Sequence, residues 1–338
     1  MDHMLFFSRC CRSKEKSIFM HAHFNKSVIS FKSITIYDIN DKEIPFNLNK
    51  KGPDLIIELL KPKSFFSDNN KIRILVNNSL NYTNLPVLFP FDNCKLNLNS
   101  KKSVIISTMC KDYTHRLDEW ILYNQKIGIS GIVIFNNNEN KNTISHEHTK
   151  SRGDGTFKNS EYTMSLGDLK NKWGNFLTII DFPYSTPPGT RANNLQRNTL
   201  TLGVNAYLKK CKSIALIDAD EFIYSEKTKN LNMEDFVSRY KKSIKMGSNI
   251  ITNKNNDDKI NNNVLDMCRY VGGKKWSKII LLCSRLNPEI FINSPHNHSS
   301  CGEMIDRKAL WHYHAWCNNR CEWSPKMKKV NFLYEVIN

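Results

Sequence analysis

The stretch Ile214-Ala215-Leu216-Ile217-Asp218-Ala219-Asp220-Glu221-Phe222-Ile223 decides the fold. Its first four residues are apolar without helical periodicity, which predicts a strand buried on both faces, as in a parallel sheet. Two aspartates spaced Asp-x-Asp and a glutamate follow this strand, where open α/β sheets bind their ligands. Burying such carboxylates requires a cation or hydrogen-bond donors. The stretch therefore predicts either a divalent-metal site that carries a phosphate or a simple Asx-rich turn.

Helices and strands alternate on both sides of this stretch. Helical spacing of apolar residues predicts a helix over 196–210 before it, and we expect further helices over 116–128 and 233–245. Gly128 suits the left-handed residue that ends a helix. Apolar runs predict further strands, which cover 104–108, 131–135, 176–180 and 276–282. The pattern is typical of an α/β protein with a largely parallel sheet.

Residues 1–100 differ from the rest of the chain. Short apolar or alternating runs over 28–37, 55–60 and 72–76 are separated by polar and proline-containing breaks, which predicts a small β-rich accessory region. We expect this region to precede a catalytic domain over 101–338.

Composition limits the compartment and the partners. The 338 residues are 40% hydrophobic, enough for a substantial core, but no apolar run reaches the roughly 18 residues that span a bilayer. We expect neither a transmembrane segment nor a signal peptide, and hence a cytoplasmic protein. The net charge of +17 comes from lysines spread along the chain, a composition typical of AT-rich genomes, viral and parasitic ones among them. Nucleic acid is therefore an unlikely partner, whereas a nucleotide diphosphate would benefit from this charge.

The blocks around the Asp-x-Asp pair resemble those of family 2-like and family 92 glycosyltransferases. In those families a helix leads into a strand that ends Asp-x-Asp-Glu-Phe, as in 200–223 here. The first helix resembles theirs in its Glu119-Trp120 pair, and the run 311–314, Trp-His-Tyr-His, resembles their His-Tyr element. The resemblance covers about 103–325 and implies a GT-A type fold, a Rossmann-like α/β sandwich with a mostly parallel central sheet.

The resemblance also implies an activity, the metal-dependent transfer of a hexosyl unit. The donor would be a nucleotide-diphospho-sugar, a UDP-sugar by default, and the acceptor a glycan or protein hydroxyl, with inversion. It assigns direct metal contact to Asp220, and it assigns contact with the ribose or with a metal-bound water to Asp218. Hard oxygen ligands suit Mn²⁺ or Mg²⁺. Glu221 either orients the sugar or stabilises the turn.

A histidine is the third metal ligand that the resemblance implies. His312 matches the His-Tyr element, and we expect His314 to lie on the opposite face of the strand, so that only His312 meets the metal. A structural zinc is the alternative, because His312, His314, Cys317 and Cys321 are zinc-ligand types, although their spacing is not that of a standard finger.

Further residues are candidates for binding the nucleotide. Glu119 contacts the loop near the nucleotide or caps a strand, and Lys278 either meets phosphate or is solvated. Asn136 ends the second strand, where the base would be read, although the family usually has an aspartate there. The remaining candidates follow the first strand, namely Ser107, Thr108 and Cys110.

The general base and the activity itself stay open. Glu303 and Asp306, which lie beside His296 and His298 and precede the His-Tyr element, are candidates for the base that takes the acceptor proton. The alternative to an enzyme is a non-catalytic basic binding protein on a GT-A-like fold.

Overall fold

The computed structural model describes residues 4–10, 18–24, 34–38, 40–51, 54–60, 71–76, 85–86, 96–110, 117–137, 165–182, 193–225, 230–252, 270–272, 277–286, 290, 292–305, 311–315 and 328–329. The chain forms two compact units. The first unit holds residues 1–94, 185–209 and 287–292, and the second holds the remainder. The first break lies near the predicted boundary at residue 100, but the prediction had placed both later segments of the first unit in the catalytic domain.

Strands outnumber helices in the described residues. The strands are β1 (Met4–Cys10), β2 (Ile18–Phe24), β3 (Ile34–Tyr37), β4 (Phe46–Lys51), β5 (Asp54–Leu59), β6 (Lys71–Val76), β7 (Leu85–Pro86), β8 (Val104–Cys110), β9 (Gly131–Asn136), β10 (Leu177–Asp181), β11 (Ser213–Leu216), β12 (Glu221–Tyr224), β13 (Ser243–Met246), β14 (Ser248–Thr252), β15 (Tyr270–Gly272), β16 (Lys278–Leu282), β17 (Cys301–Met304), β18 (Trp311–Ala315) and β19 (Lys328–Lys329). The helices are α1 (Leu117–Lys126), α2 (Leu166–Trp173), α3 (Asn193–Tyr207) and α4 (Met233–Ser238).

The first unit is rich in β-structure, as predicted for residues 1–100. One antiparallel sheet has the order β1-β2-β5-β4, and a second has the order β3-β6-β7. Helix α3 packs against β1. Its Asn205 amide donates to the Ile290 carbonyl at 2.7 Å, and its Thr201 hydroxyl accepts from the Ile292 backbone at 3.0 Å.

The second unit is built on a seven-stranded sheet with the order β10-β9-β8-β11-β16-β13-β17. The first four strands in this order are parallel, β16 is antiparallel to both of its neighbours, and β13 and β17 are parallel. The prediction of an α/β protein with a mostly parallel sheet is thus confirmed. The apolar runs form these strands because both of their faces are covered: β9, β11 and β16 are buried along their whole length.

Helix α1 connects β8 to β9 and buries one face. Its buried residues include Leu117, Trp120 and Ile121, which join the core formed by the sheet. Gly128 follows the helix with a φ of 82°, and its amide donates to the Gln125 carbonyl at 3.0 Å. The helix was predicted to end at Gly128 because residues other than glycine rarely adopt this left-handed backbone conformation.

The prediction of a helix over 233–245 is wrong in its second half. Helix α4 begins after Asn232, whose side chain accepts from the Asp235 amide, and ends at Ser238. Residues 243–246 are instead β13, where Ile244 is buried in the core and the Ser243 hydroxyl accepts from the Leu282 amide at 3.0 Å. Pairing with β16 and β17 determines the structure here, because the sheet buries Ser243, Ile244 and Met246.

A second sheet in this unit has the order β12-β18-β14-β15-β19. Strand β12 is its edge and pairs antiparallel with β18. Across the described part of the chain, no helix combines the length and the apolar character needed to cross a membrane.

Candidate active site

Asp218, Asp220 and Glu221 follow β11, at the point where successive strands switch from one side of β8 to the other. From β8 the chain adds β9 and β10 on one side, and β11 then joins β8 on the other side. In an open α/β sheet such a switch point leaves a crevice at the carboxyl ends of the strands, where ligands bind. Asp218 follows β11 by two residues, and Cys110 ends β8. The ends of β8 and β11, the two strands at the switch point, therefore carry residues predicted for the site.

Residues 218–221 form a hydrogen-bonded turn, which we call the acidic turn. The Glu221 amide donates to the Asp218 carbonyl at 3.0 Å, and the Asp218 amide donates to the Glu221 carboxylate at 2.9 Å. This reciprocal pair closes the turn and orients Asp218. Glu221 thus has the turn-stabilising contact that was one of its two predicted roles.

A buried lysine holds two of the acids together. The Lys278 ammonium lies 2.6 Å from Asp218 Oδ2 and 3.2 Å from Glu221 Oε2. The exposed fraction is 2% for the Lys278 side chain and 4% for that of Glu221, but 37% for that of Asp218. Burial alone lowers the pKa of Lys278, but the two carboxylate charges outweigh burial and raise that pKa well above its ordinary value. Lys278 is therefore a permanent cation beneath the acidic turn.

Helix α1 fixes the strand that follows the acidic turn. The Trp120 indole donates to the Glu221 carbonyl at 2.8 Å, and the Tyr123 hydroxyl donates to the Ile223 carbonyl at 2.7 Å. The Tyr123 ring also meets Phe222 edge-on, with the ring centroids 5.0 Å apart. The buried side chains of Trp120 and Tyr123 thus supply hydrogen-bond donors to two carbonyls of β12. Carbonyls on an edge strand would otherwise lack a partner on their open side.

The ligand types of this site suit a divalent cation. Asp218 and Glu221 pair with Lys278, and Asp220 adds a third carboxylate to the acidic turn. Asp218 and Asp220, both partly exposed, offer hard carboxylate oxygens of the kind that Mn²⁺ and Mg²⁺ bind. Within the described residues, no three His, Cys, Asp or Glu side chains are grouped to hold a metal ion.

Several predicted nucleotide contacts are buried. Ser107 and Thr108 are 0% and 1% exposed within β8, and Cys110 is buried at its end, so the backbone is what this strand offers a ligand. Asn136 is 2% exposed, and its amide donates to Asp181 at 3.3 Å. Lys278 directs its ammonium at Asp218 and Glu221, so the prediction that it meets phosphate has no support from its position. Glu119 lies partly exposed on α1, and its contact with a nucleotide stays a prediction.

The expectation that His312 and His314 lie on opposite faces of a strand is wrong. In β18, position 312 pairs with Ile223 of β12 and position 314 pairs with Glu221. Residues two apart on a strand share a face, so both positions lie on the face of Glu221. Their side chains, like Cys317, Cys321 and Asp306, lie outside the described residues, and the metal role of His312 stays a prediction.

The histidines before β17 have defined hydrogen bonds. His296 Nδ1 lies 2.6 Å from the Ser277 carbonyl, so Nδ1 carries the proton, and the Ser277 hydroxyl donates back to the His296 carbonyl at 2.8 Å. Burial lowers the pKa of His296, and the nearby charge of Lys278 adds to this while that of Asp218 opposes it. His296 thus lies near the ion pair beneath the acidic turn. Of the two residues predicted as the general base, Glu303 and Asp306, only Glu303 is among the described residues, and it is exposed.

Sequence reasoning missed Tyr123 and Asp181. Tyr123 was assigned no role from the sequence, and Trp120 was noted only as part of the Glu-Trp pair. Asp181 carried a usable signal, because it directly follows the predicted strand over 176–180, just as Asp218 follows its own apolar strand.

Comparison with known proteins leaves the family of this chain open. No protein-family model and no curated protein matches it. Among solved structures, the crystal structure of the Lin-41 filamin domain matches at 9% identity, covering 25% of this chain and 89% of that chain. Its TM-score of 0.18 is too low for the match to bear on fold or function.

Proposed function

We propose that the protein is a metal-dependent glycosyltransferase of the GT-A type. The acidic turn carries this proposal: it is held from below by buried Lys278 at the switch point of a mostly parallel sheet. Such a switch point is the usual ligand position of open α/β sheets. Carboxylate oxygens are ligands that Mn²⁺ and Mg²⁺ prefer, and such a cation would bind a diphosphate.

The roles of the residues follow from their exposure. Asp220 and the exposed part of Asp218 would hold Mn²⁺ or Mg²⁺, which acts as a Lewis acid on the diphosphate when bound. Lys278 and the reciprocal hydrogen bonds of Glu221 keep Asp218 in place, so the site needs little rearrangement on binding. Backbone groups at the end of β8 would line the crevice beside the nucleotide.

The proposed reaction transfers a hexosyl unit to a glycan or protein hydroxyl. The bond between the anomeric carbon and the diphosphate oxygen breaks, and its electrons leave with the nucleoside diphosphate. The acceptor oxygen bonds to the anomeric carbon from the opposite side, and a general base takes the acceptor proton. A UDP-sugar is the first donor to test.

The decisive experiment measures donor binding and turnover in one set of proteins. Thermal stabilisation by UDP-sugars should require Mn²⁺ or Mg²⁺, because a ligand that binds the folded form raises its apparent stability. Asp220→Asn should abolish metal-dependent stabilisation and turnover, while Asp235→Asn, the same change at an exposed position in α4, should alter neither. Undiminished turnover by Asp220→Asn would refute the site.

A non-catalytic binding protein predicts a different result. The net charge of +17 would then bind anionic ligands in a manner sensitive to salt but insensitive to substitution of Asp218 or Asp220. No sugar nucleotide would be turned over.

A further inference from the structure

The edge of the seven-stranded sheet opposite the acidic turn carries a cluster of cations. Strands β8, β11 and β13 begin at this edge and β16 ends there, because β16 is antiparallel to both of its neighbours. Lysines that are spread along the sequence are thus collected at one edge by the fold. The basic residues shortly before or after these strand ends, which we call the basic edge, are Lys101, Lys102, Lys212, Arg239, Lys241, Lys242 and Arg285. All of them are exposed except Lys212, which is half-buried.

Hydrogen bonds join the segments of the basic edge to one another. The Lys212 amide donates to the Ser103 carbonyl, and the Cys283 amide donates to the Lys212 carbonyl, both at 2.9 Å. The Arg285 side chain donates through Nε to the Lys241 carbonyl at 3.1 Å, which links the end of β16 to the start of β13. Strands β8 and β13 are three strand spacings apart, or about 14 Å. The cations therefore form one continuous surface.

The turn in front of β8 is held by side-chain and backbone bonds. The Lys101 amide donates to Asn99 Oδ1 at 2.9 Å, and the Lys102 amide donates to the Asn99 carbonyl at 3.1 Å. The Asn99 amide in turn donates to the Ser103 hydroxyl at 2.7 Å. Both lysines are thus presented to solvent from a fixed backbone.

The charge of the basic edge is not neutralised by neighbouring acids. Within the described part of the chain, none of its seven side chains forms an ion pair with a carboxylate. The described acids on this side of the sheet belong to neighbouring elements: Glu234 of α4 accepts from the Ser130 hydroxyl at 2.5 Å, in front of β9, and Asp235 and Glu303 are exposed on α4 and β17. Like charges held close together repel one another, and an anionic partner that lies across them relieves this repulsion.

The residue types of the basic edge fit the anionic headgroups of a membrane surface better than a nucleic acid. Five of the seven residues are lysines, compact charges that attract phosphate and carboxylate groups without a fixed bidentate geometry. The bases of a single strand stack on exposed aromatic rings. Tyr240, between Arg239 and Lys241, is instead partly buried, and its ring packs on Phe236 with the ring centroids 5.1 Å apart.

We propose that the basic edge attaches the protein to a membrane surface rich in anionic phospholipids. Basic residues next to such a surface are attracted by its negative potential, and their contributions accumulate. With the basic edge on the membrane, the carboxyl end of β11 and the acidic turn face away from it. This inference does not depend on the proposed function, because it rests on residues at the opposite edge of the sheet from the candidate active site.

Sedimentation of the full chain with lipid vesicles tests the proposal. Vesicles of equal parts phosphatidylcholine and phosphatidylserine should bind the protein, whereas vesicles of phosphatidylcholine alone should not. Raising the salt concentration from about 0.1 M to about 1 M shortens the Debye length from about 10 Å to about 3 Å and should release the protein. The combined variant Lys102→Gln, Lys241→Gln and Lys242→Gln should lower the partition coefficient about a hundredfold, since each cation near the surface contributes roughly a factor of five.

A variant with the same loss of charge elsewhere is the matched control. Lys42→Gln, Lys170→Gln and Lys172→Gln replace three exposed lysines outside the basic edge and should lower the partition coefficient far less. Equal losses in the two triple variants would assign the binding to the overall charge of +17 and overturn the proposal.

Two further results would also overturn it. One is a wild-type protein that does not bind the phosphatidylserine vesicles. The other is a protein that binds a single-stranded or duplex oligonucleotide through the basic edge, so that the first triple variant loses the oligonucleotide but keeps its binding to vesicles. Neither result bears on the acidic turn or on the proposed transferase activity.

Discussion

The ammonium of Lys278 lies 2.6 Å from Asp218 Oδ2, and only 2% of the lysine side chain is exposed to solvent. A buried lysine is stable only when partners offset its lost hydration. Asp218 and Glu221 supply that compensation, and the pairing gives the acidic turn a fixed geometry. The same ion pair therefore links the stability of the second unit to the candidate active site.

Removal of the Lys278 charge should destabilise the protein strongly. Lys278→Met leaves Glu221 buried without its cation, and breaking a buried pair by removing one partner costs about 3–5 kcal/mol. Lys172→Met is the matched control, because the Lys172–Asp118 pair has a similar distance of 2.7 Å but exposed fractions of 48% and 32%. Its loss should cost less than about 1 kcal/mol. Urea unfolding followed by circular dichroism measures both; equal losses would show that Lys278 is not a structural cation.

Loss of the α1 hydrogen bonds should loosen β12 specifically. Tyr123→Phe keeps the ring packed on Phe222 but leaves the buried Ile223 carbonyl without its donor, at a cost of about 1–3 kcal/mol. Hydrogen exchange should accelerate at β12 more than at β9. Trp173→Phe serves as the comparison, since that indole donates to the partly exposed Asp118 at 2.9 Å. Uniform acceleration across both strands would contradict a local role for Tyr123.

Stability should decrease as the pH falls from 7.5 to 5. Burial lowers the pKa of both His296 and His298, and His298 Nδ1 also accepts from the Ser300 amide at 3.1 Å, a bond that protonation there would break. Below the ordinary histidine pKa of about 6.5 the unfolded chain therefore binds more protons than the folded chain, and the free energy of unfolding falls with decreasing pH until the lowered pKa values are passed.

Urea midpoints measured at several pH values check this expectation. Replacing both His296 and His298 by glutamine should make the dependence of the midpoint on pH shallower than in wild type. If the double substitution leaves the pH dependence of the midpoint unchanged, other titratable groups, such as carboxylates, cause that dependence.

Two buried thiols should resist alkylation in the folded protein. Cys211 and Cys283 lie at the shared end of the β11–β16 pair with their sulfur atoms 3.8 Å apart, which is contact without a disulfide bond. Burial and the contact with Cys283 raise the pKa of Cys211, so little reactive thiolate forms. Iodoacetamide labelling mapped by mass spectrometry should modify the less buried Cys301 before Cys211 or Cys283. Labelling of Cys211 at the rate of Cys301 without denaturant would contradict the packing.

Local patterns predicted five of the seven strands of the large sheet, namely β8, β9, β10, β11 and β16, within one or two residues. The apolar runs at 104–108 and 131–135 became β8 and β9, and the left-handed Gly128 between them was correct. Residues 243–245 were predicted as helix because their partners in β16 and β17 are distant in sequence, and no local pattern reveals such pairing. The prediction that positions 312 and 314 lie on opposite faces was wrong for a simpler reason. Residues two apart on a strand lie on the same face.

The sequence by itself determined that acids follow a buried apolar strand, because burial and chain adjacency are both local properties. Only the tertiary structure decided what surrounds those acids. Lys278 is 60 residues from Asp218, the Trp120 indole reaches across 101 residues to Glu221, and Asn136 meets Asp181 across 45 residues. These contacts depend on which strands become neighbours, and that choice follows from the packing free energy of the whole unit rather than from the preference of any segment.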